Sequence, residues 1–132
     1  MNKPTKKIKF NIGKTNTGFD AYAEEADGVI ATTGNAFAEL KQNILDAYNA
    51  HAAYHKLNPI TFDDIVLEYD LPSFFESYGI INAKALSQRI GMNNALLSHY
   101  IKGVKKPSAK QVAKILTGLK QVGKELTELE LA

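Results

Sequence analysis

Hydrophobic periodicity constrains this chain more than any other feature, because it changes character along the sequence. Ile8, Phe10 and Ile12 alternate with Lys7, Lys9 and Asn11, the two-residue period of a strand with one buried face. Asn16, Thr17 and Gly18 suit a turn, after which Phe19, Ala21 and Ala23 alternate against Asp20, Tyr22 and Glu24. Asp27-Gly28 marks a second turn before Val29 to Thr33, so the first third predicts a three-stranded antiparallel meander. Then the period lengthens. Asn35 can cap a helix whose Phe37, Leu40, Ile44, Leu45, Tyr48 and Ala52 recur every three or four residues. Lys56 to Pro59 ends it, and Ile65, Leu67 and Tyr69 alternate as a fourth strand.

From Asp70 the period is helical throughout. Asp70 can cap a short helix bearing Phe74, Phe75 and Tyr78, stopped by Gly79, and a second helix from Ala83 to Ile90 is stopped by Gly91. A third runs from about Asn94 to Lys102 and ends at Gly103. Ser108 and Gln111 form a capping-box pair opening a fourth helix, with Val112, Ile115, Leu116, Leu119 and Val122 on one stripe. Gly123 is expected to break it, leaving Leu126 and Leu129 on a separate turn, as core or as a dimer contact. The expected organisation is α+β: an N-terminal module over residues 1–69, a small antiparallel sheet with one packed helix in the order βββαβ, then an all-α module over residues 70–132.

Composition narrows the function. The chain has 132 residues and no cysteine, which excludes disulfides, Cys-ligated zinc, iron–sulfur clusters and a thiol nucleophile. No apolar run approaches the roughly 18 residues a membrane span needs, and the basic start lacks the apolar region of a signal peptide, so a soluble, cytoplasmic protein is expected. The formal charge of +2 conceals a division. Residues 1–19 carry Lys3, Lys6, Lys7, Lys9 and Lys14 with no acid, whereas residues 20–70 carry ten acids against Lys41 and Lys56. Residues 80–124 carry nine Lys or Arg and no acid. Forty-five residues without a carboxylate point to a polyanion partner for the second half.

The same stretch, Asn82 to Ser108, holds two helices of about eight residues joined by Gly91-Met92-Asn93, with Leu86, Ile90, Leu97 and Tyr100 placed to hold the pair together. Leu86, Ser87, Gly91, Ser98, Tyr100 and Gly103, followed by Lys105, Lys106, Pro107 and Ser108, resemble the phage-repressor (Cro/lambda, XRE) helix-turn-helix family. The resemblance implies a recognition helix with Asn94, Ala95, Ser98 and His99 facing base edges, and Asn82, Lys84, Asn93, Lys102, Lys105 and Lys106 on phosphates. The chemistry of those side chains suits base reading, since Asn pairs with adenine, Ser and His reach acceptors, and Ala meets a thymine methyl. Ala83 departs from the pattern, since many members have Gln there to clamp the backbone.

In the first module, Gly18-Phe19-Asp20-Ala21-Tyr22-Ala23, then Val29 to Gly34 and the Phe37/Leu40/Ile44 helix, resemble the HicB antitoxin family, whose fold is a degenerate RNase-H-like sheet. Val29 stands where that family often has Cys. The order of modules is similar to HicB-type proteins with a repressor-like C-terminal domain. The resemblance implies an antitoxin that neutralises a small basic HicA-type RNase toxin and represses its own operon, as a homodimer or higher oligomer on an inverted-repeat operator in double-stranded DNA. The acidic balance would attract such a toxin, with Asp20, Tyr22, Glu24, Glu25 and Asp27 as the partner-binding residues. The alternative is a standalone transcription regulator whose sheet only oligomerises or senses a ligand.

No enzymatic activity is expected. An RNase-H-like nuclease needs carboxylates from several elements converging on two metals. Asp20 and Glu24 share a face, but Glu25 and Asp27 fall in a turn, and the first strand offers only Lys7, Lys9 and Asn11. His51 and His55, four residues apart with Asp46 nearby, have the spacing of a metal pair but no third ligand, so no metal or cofactor is expected.

Overall fold

The structure, a computed structural model, describes residues 7–130; Lys3 and Lys6 of the basic N-terminal run lie outside them. The early alternation becomes three antiparallel strands, β1 (Ile8–Lys14), β2 (Phe19–Glu25) and β3 (Gly28–Gly34), with Asn11 opposite Tyr22 and Tyr22 opposite Ala31. Helix α1 (Phe37–Tyr54) follows, then a single 3₁₀ turn at Phe62–Asp64 and strand β4 (Ile65–Tyr69). The sheet order is β3-β2-β1-β4, and β4 pairs with β1 in parallel, Phe10 opposite Leu67. The sheet is therefore mixed and not wholly antiparallel. The cause is the 18-residue helix, about 27 Å long, which carries the chain back to the end of the sheet at which β3 began and across to the opposite edge, beside β1. A strand entering there runs in the sense of β3, and β3 and β1 already run the same way.

The core lies between one sheet face and α1. Ile8, Phe10, Ile12, Ala21, Ala23 and Ile30 from the strands meet Leu40, Ile44, Tyr48 and Ala52 from the helix, with Ile60 closing the end. Gly34 permits the tight entry into α1, since a Cβ there would stand 2.6 Å from the Leu40 nitrogen. Asn35 does not cap the helix. Ala36 occupies that position with no side-chain cap, and Glu39 reaches back to accept the Asn35 N–H at 3.1 Å. Asn49 holds the returning loop, accepting from the Ile60 N–H at 2.8 Å and donating to the Ile60 carbonyl at 3.2 Å.

Helix α2 (Leu71–Ser77) begins at Asp70, whose carboxylate accepts the Ser73 N–H. It belongs with the sheet and not with the helices that follow: the chain divides into one compact unit ending at Ser77 and another beginning at Tyr78. The boundary thus falls eight residues later than the Tyr69/Asp70 division read from periodicity. The reason is contact with β1. The Asp70 N–H donates to the Ile12 carbonyl, Ser73 Oγ accepts the Lys14 N–H, and the Ser77 hydroxyl donates to the Lys14 carbonyl. Leu71 and Phe75 are buried, and Phe74 packs against the Tyr69 and Phe19 rings.

The second unit contains α3 (Ala83–Ile90), α4 (Asn94–Ile101) and α5 (Ala109–Thr127). Leu86, Met92, Leu97, Tyr100 and Ile115 are its buried apolar residues. Gly91 ends α3 in the left-handed region at φ 68°, and the Met92 N–H donates to the Ser87 carbonyl, so the chain turns sharply into α4. Ser108 Oγ accepts the Gln111 N–H at 3.2 Å and starts α5. Gly123 does not break this helix, which runs unbroken to Thr127. An interior glycine costs only about 1 kcal/mol relative to alanine, and the last turn, although exposed, is tied down by Glu125, which pairs with Arg89 of α3 and accepts from the Gln121 amide at 3.2 Å. Leu126 and Leu129, at 61% and 74% exposure, are not core. Among the described residues no helix is long and apolar enough to cross a membrane.

Candidate functional site

Helix α4 presents two chemically distinct faces. Leu97 and Tyr100 point into the core, while Asn94, Ala95 and His99 are exposed and Ser98 is half-buried. Positions 94, 95, 98 and 99 share one side of a 3.6-residue helix, so the four expected base-contacting residues are brought together. The segment after the helix folds back on its C-terminal end: the Val104 and Lys105 N–H groups donate to the His99 carbonyl at 3.0 and 3.3 Å, with Gly103 at φ 75° supplying the reversal. Lys105 is exposed in this turn. Lys84, Lys102 and Lys106 are exposed as well, in the first turn of α3, at the C-cap of α4 and in the following turn.

Asn82 and Asn93 have a role that the helix-turn-helix resemblance does not assign. The Asn82 Oδ1 accepts the Ala85 N–H at 3.0 Å, capping α3. The Asn93 Oδ1 accepts the Ala95 and Leu96 N–H groups at 2.8 and 3.2 Å, capping α4. An Asn immediately before an apolar helical period is itself a capping signal, so this role was available in the sequence. The caps use the side-chain oxygens, so the side-chain amide nitrogens, the groups able to donate to a phosphate, are not consumed by them.

The five residues expected to bind a partner protein do not share one surface. Asp20, Tyr22 and Glu24 are exposed on the open face of the sheet, opposite α1. Lys7, Lys9 and Asn11 share a shallow groove there with Tyr22, Glu24 and Glu25, and Lys9 pairs with Glu68 at 3.0 Å, so this face is mixed in charge. Glu25 is the last residue of β2 and not part of the turn. Asp27 lies elsewhere, in the β2–β3 turn against α1.

There Asp27 meets two histidines. The His51 Nε2 is 3.0 Å from Asp27 Oδ1, and the His55 Nδ1 is 3.8 Å from Oδ2. The hydrogen bond from His51 holds the Asp27 carboxyl below the ordinary carboxylate range. Each residue can offer one ligand atom such that all three lie within 4.8 Å of one another. Asp46, the acid nearest in sequence, is engaged with the Gln42 amide at 2.9 Å instead. The sequence contained no local signal for Asp27 as the third member, because 24 residues separate it from His51.

Comparison of this chain with family models, curated proteins and solved structures returned no match.

Proposed function

We propose that this protein is a DNA-binding autorepressor of the HicB antitoxin type, with its helical unit reading DNA and its sheet unit binding a small basic RNase toxin. The observation that carries the reading is the exposed Asn94/Ala95/His99 face of α4, backed by buried Leu97 and Tyr100, within 45 residues that hold nine cations and no acid. A helix of this kind enters the major groove with polar side chains on base edges, while flanking lysines take phosphates. The tight Gly91 turn between α3 and α4 supports the helix-turn-helix reading. The sheet order β3-β2-β1-β4, with only β4 parallel to β1, supports a degenerate RNase-H-like reading of the first unit. Lys9 and Asn11 on the open face of β1 argue against a nuclease centre, which would need a carboxylate there.

A single such helix contacts little DNA, so the protein acts as a homodimer whose recognition helices enter successive major grooves about 34 Å apart on an inverted repeat. One observation favours the narrower reading of a regulator without a toxin: the open sheet face carries Lys7 and Lys9 among its acids, which weakens its complementarity to a basic partner. Two measurements test both. Retardation of the protein's own upstream DNA is expected to weaken with salt. His99→Ala should relax preference at one base-pair position by about 1–3 kcal/mol, and Lys105→Ala should weaken all sequences alike and lower the salt slope by about one. No retardation, or retardation indifferent to salt, refutes DNA binding. Silencing of, and co-purification with, the product of a small adjacent reading frame supports the antitoxin, and its absence leaves the regulator alone.

A further inference from the structure

The constellation of Asp27, His51 and His55 joins two parts of the sheet unit that are distant in sequence. Asp27 sits in the β2–β3 turn, and the histidines occupy the end of α1, His51 in its last turn and His55 at its C-cap. We propose that these three side chains form a binding site for one divalent transition ion of the zinc class, with water completing the coordination. Tetrahedral zinc, with bonds of about 2.0–2.2 Å, sets its ligand atoms about 3.3 Å apart. The His51 Nε2 and His55 Nδ1 stand 3.0 and 3.8 Å from the two oxygens of the Asp27 carboxylate, and one ligand atom from each residue lies within 4.8 Å of the other two, so closing onto an ion asks the side chains to draw together by up to about 1.5 Å.

The donor set selects the metal. Two imidazole nitrogens and one carboxylate suit zinc, cobalt or nickel; magnesium and calcium prefer all-oxygen sites, and copper(I) prefers sulfur. The site is reachable, with side-chain exposures of 31%, 13% and 32% for Asp27, His51 and His55. Aromatic rings adjoin it: the buried Tyr48 ring lies 6.1 Å from His51, the exposed Tyr54 meets His55 edge-on at 4.9 Å, and the two imidazoles are 4.4 Å apart. Gly28, at φ 141°, gives the turn a backbone conformation that other residues rarely adopt, and its α-carbon faces the His51 ring at a distance where an added Cβ would make ordinary contact, 4.0 Å. Ten acids against two lysines over residues 20–70 raise the local cation concentration. A turn-fixing hydrogen bond needs only Asp27 and His51; it gives no reason for His55 to bring a second ring nitrogen to the same carboxylate.

A bound ion would cross-link the β2–β3 turn to the end of α1 and stabilise the sheet unit. The test is calorimetric titration of zinc into the full chain after EDTA treatment. One ion per chain is expected, with a rise of several degrees in the melting midpoint at saturation. Cobalt should give visible d–d bands that zinc displaces, and zinc should shift the imidazole resonances of His51 and His55 but not those of His99. Asp27→Asn and His55→Gln should each weaken zinc at least about tenfold with the circular dichroism spectrum unchanged. The proposal is overturned by absence of both heat and midpoint shift at millimolar zinc, by variants that bind as tightly as the parent, or by shifts confined to His99.

Discussion

Removing the Asn93 side chain separates a structural role from a DNA-contacting one. Its Oδ1 accepts from two N–H groups at the start of α4, Ala95 at 2.8 Å and Leu96 at 3.2 Å. Because the residue is exposed, water replaces part of both bonds in Asn93→Ala, so the cost is about 1 kcal/mol and not the full penalty of two buried donors. The helical unit is small, and about 1 kcal/mol corresponds to a fall of roughly 8 °C in its melting midpoint. Asn93→Ser retains an oxygen able to accept the same N–H groups but removes the amide donor, and its midpoint should stay within about 2 °C of the parent. Thermal unfolding followed by the backbone resonances of α3 and α4 measures both, with hydrogen exchange at Ala95 and Leu96 as the local readout. Equal destabilisation by Ala and Ser would refute the capping argument. If neither variant is destabilised but both lose DNA affinity, Asn93 is a phosphate contact alone.

Two further substitutions probe packing. Leu97, fully buried on the inner side of α4, should cost about 2–5 kcal/mol as Leu97→Ala, enough to abolish the cooperative transition of a unit this small in circular dichroism. Gly34→Ala places a methyl 2.6–2.7 Å from the Leu40 backbone, which cannot yield as a flexible side chain would. A loss of about 1–3 kcal/mol is expected by urea denaturation of the sheet unit, and an unchanged midpoint would show that α1 can move away from β3.

Much of the architecture is legible in the sequence because its determinants are local. Alternation at Ile8, Phe10 and Ile12 specifies a strand with one buried face whatever surrounds it, and Gly91 meets a left-handed position with a residue that has no Cβ. The polar face of α4 follows in the same way from the placement of Leu97 and Tyr100 three residues apart. Asn82 and Asn93 also carry a local signal, the cap, although the helix-turn-helix resemblance assigns both to phosphates. The continuation of α5 past Gly123 is not legible, because a glycine's helical penalty is modest and the Arg89–Glu125 pair that ties the last turn to α3 joins residues 36 positions apart.

Other features belong to tertiary structure alone. The parallel pairing of β4 with β1 depends on where an 18-residue helix returns the chain, and a strand's own residues do not encode its neighbour. Helix α2 carries the apolar spacing of any short helix, and its assignment to the sheet comes from the hydrogen bonds of Asp70, Ser73 and Ser77 to β1 and from Phe74 against the Phe19 and Tyr69 rings. Asp27 is a turn residue in the sequence and a partner of two histidines in space. Local spacing determines which elements form and which side they bury; chemistry that depends on residues meeting across 24 positions is decided when those elements pack.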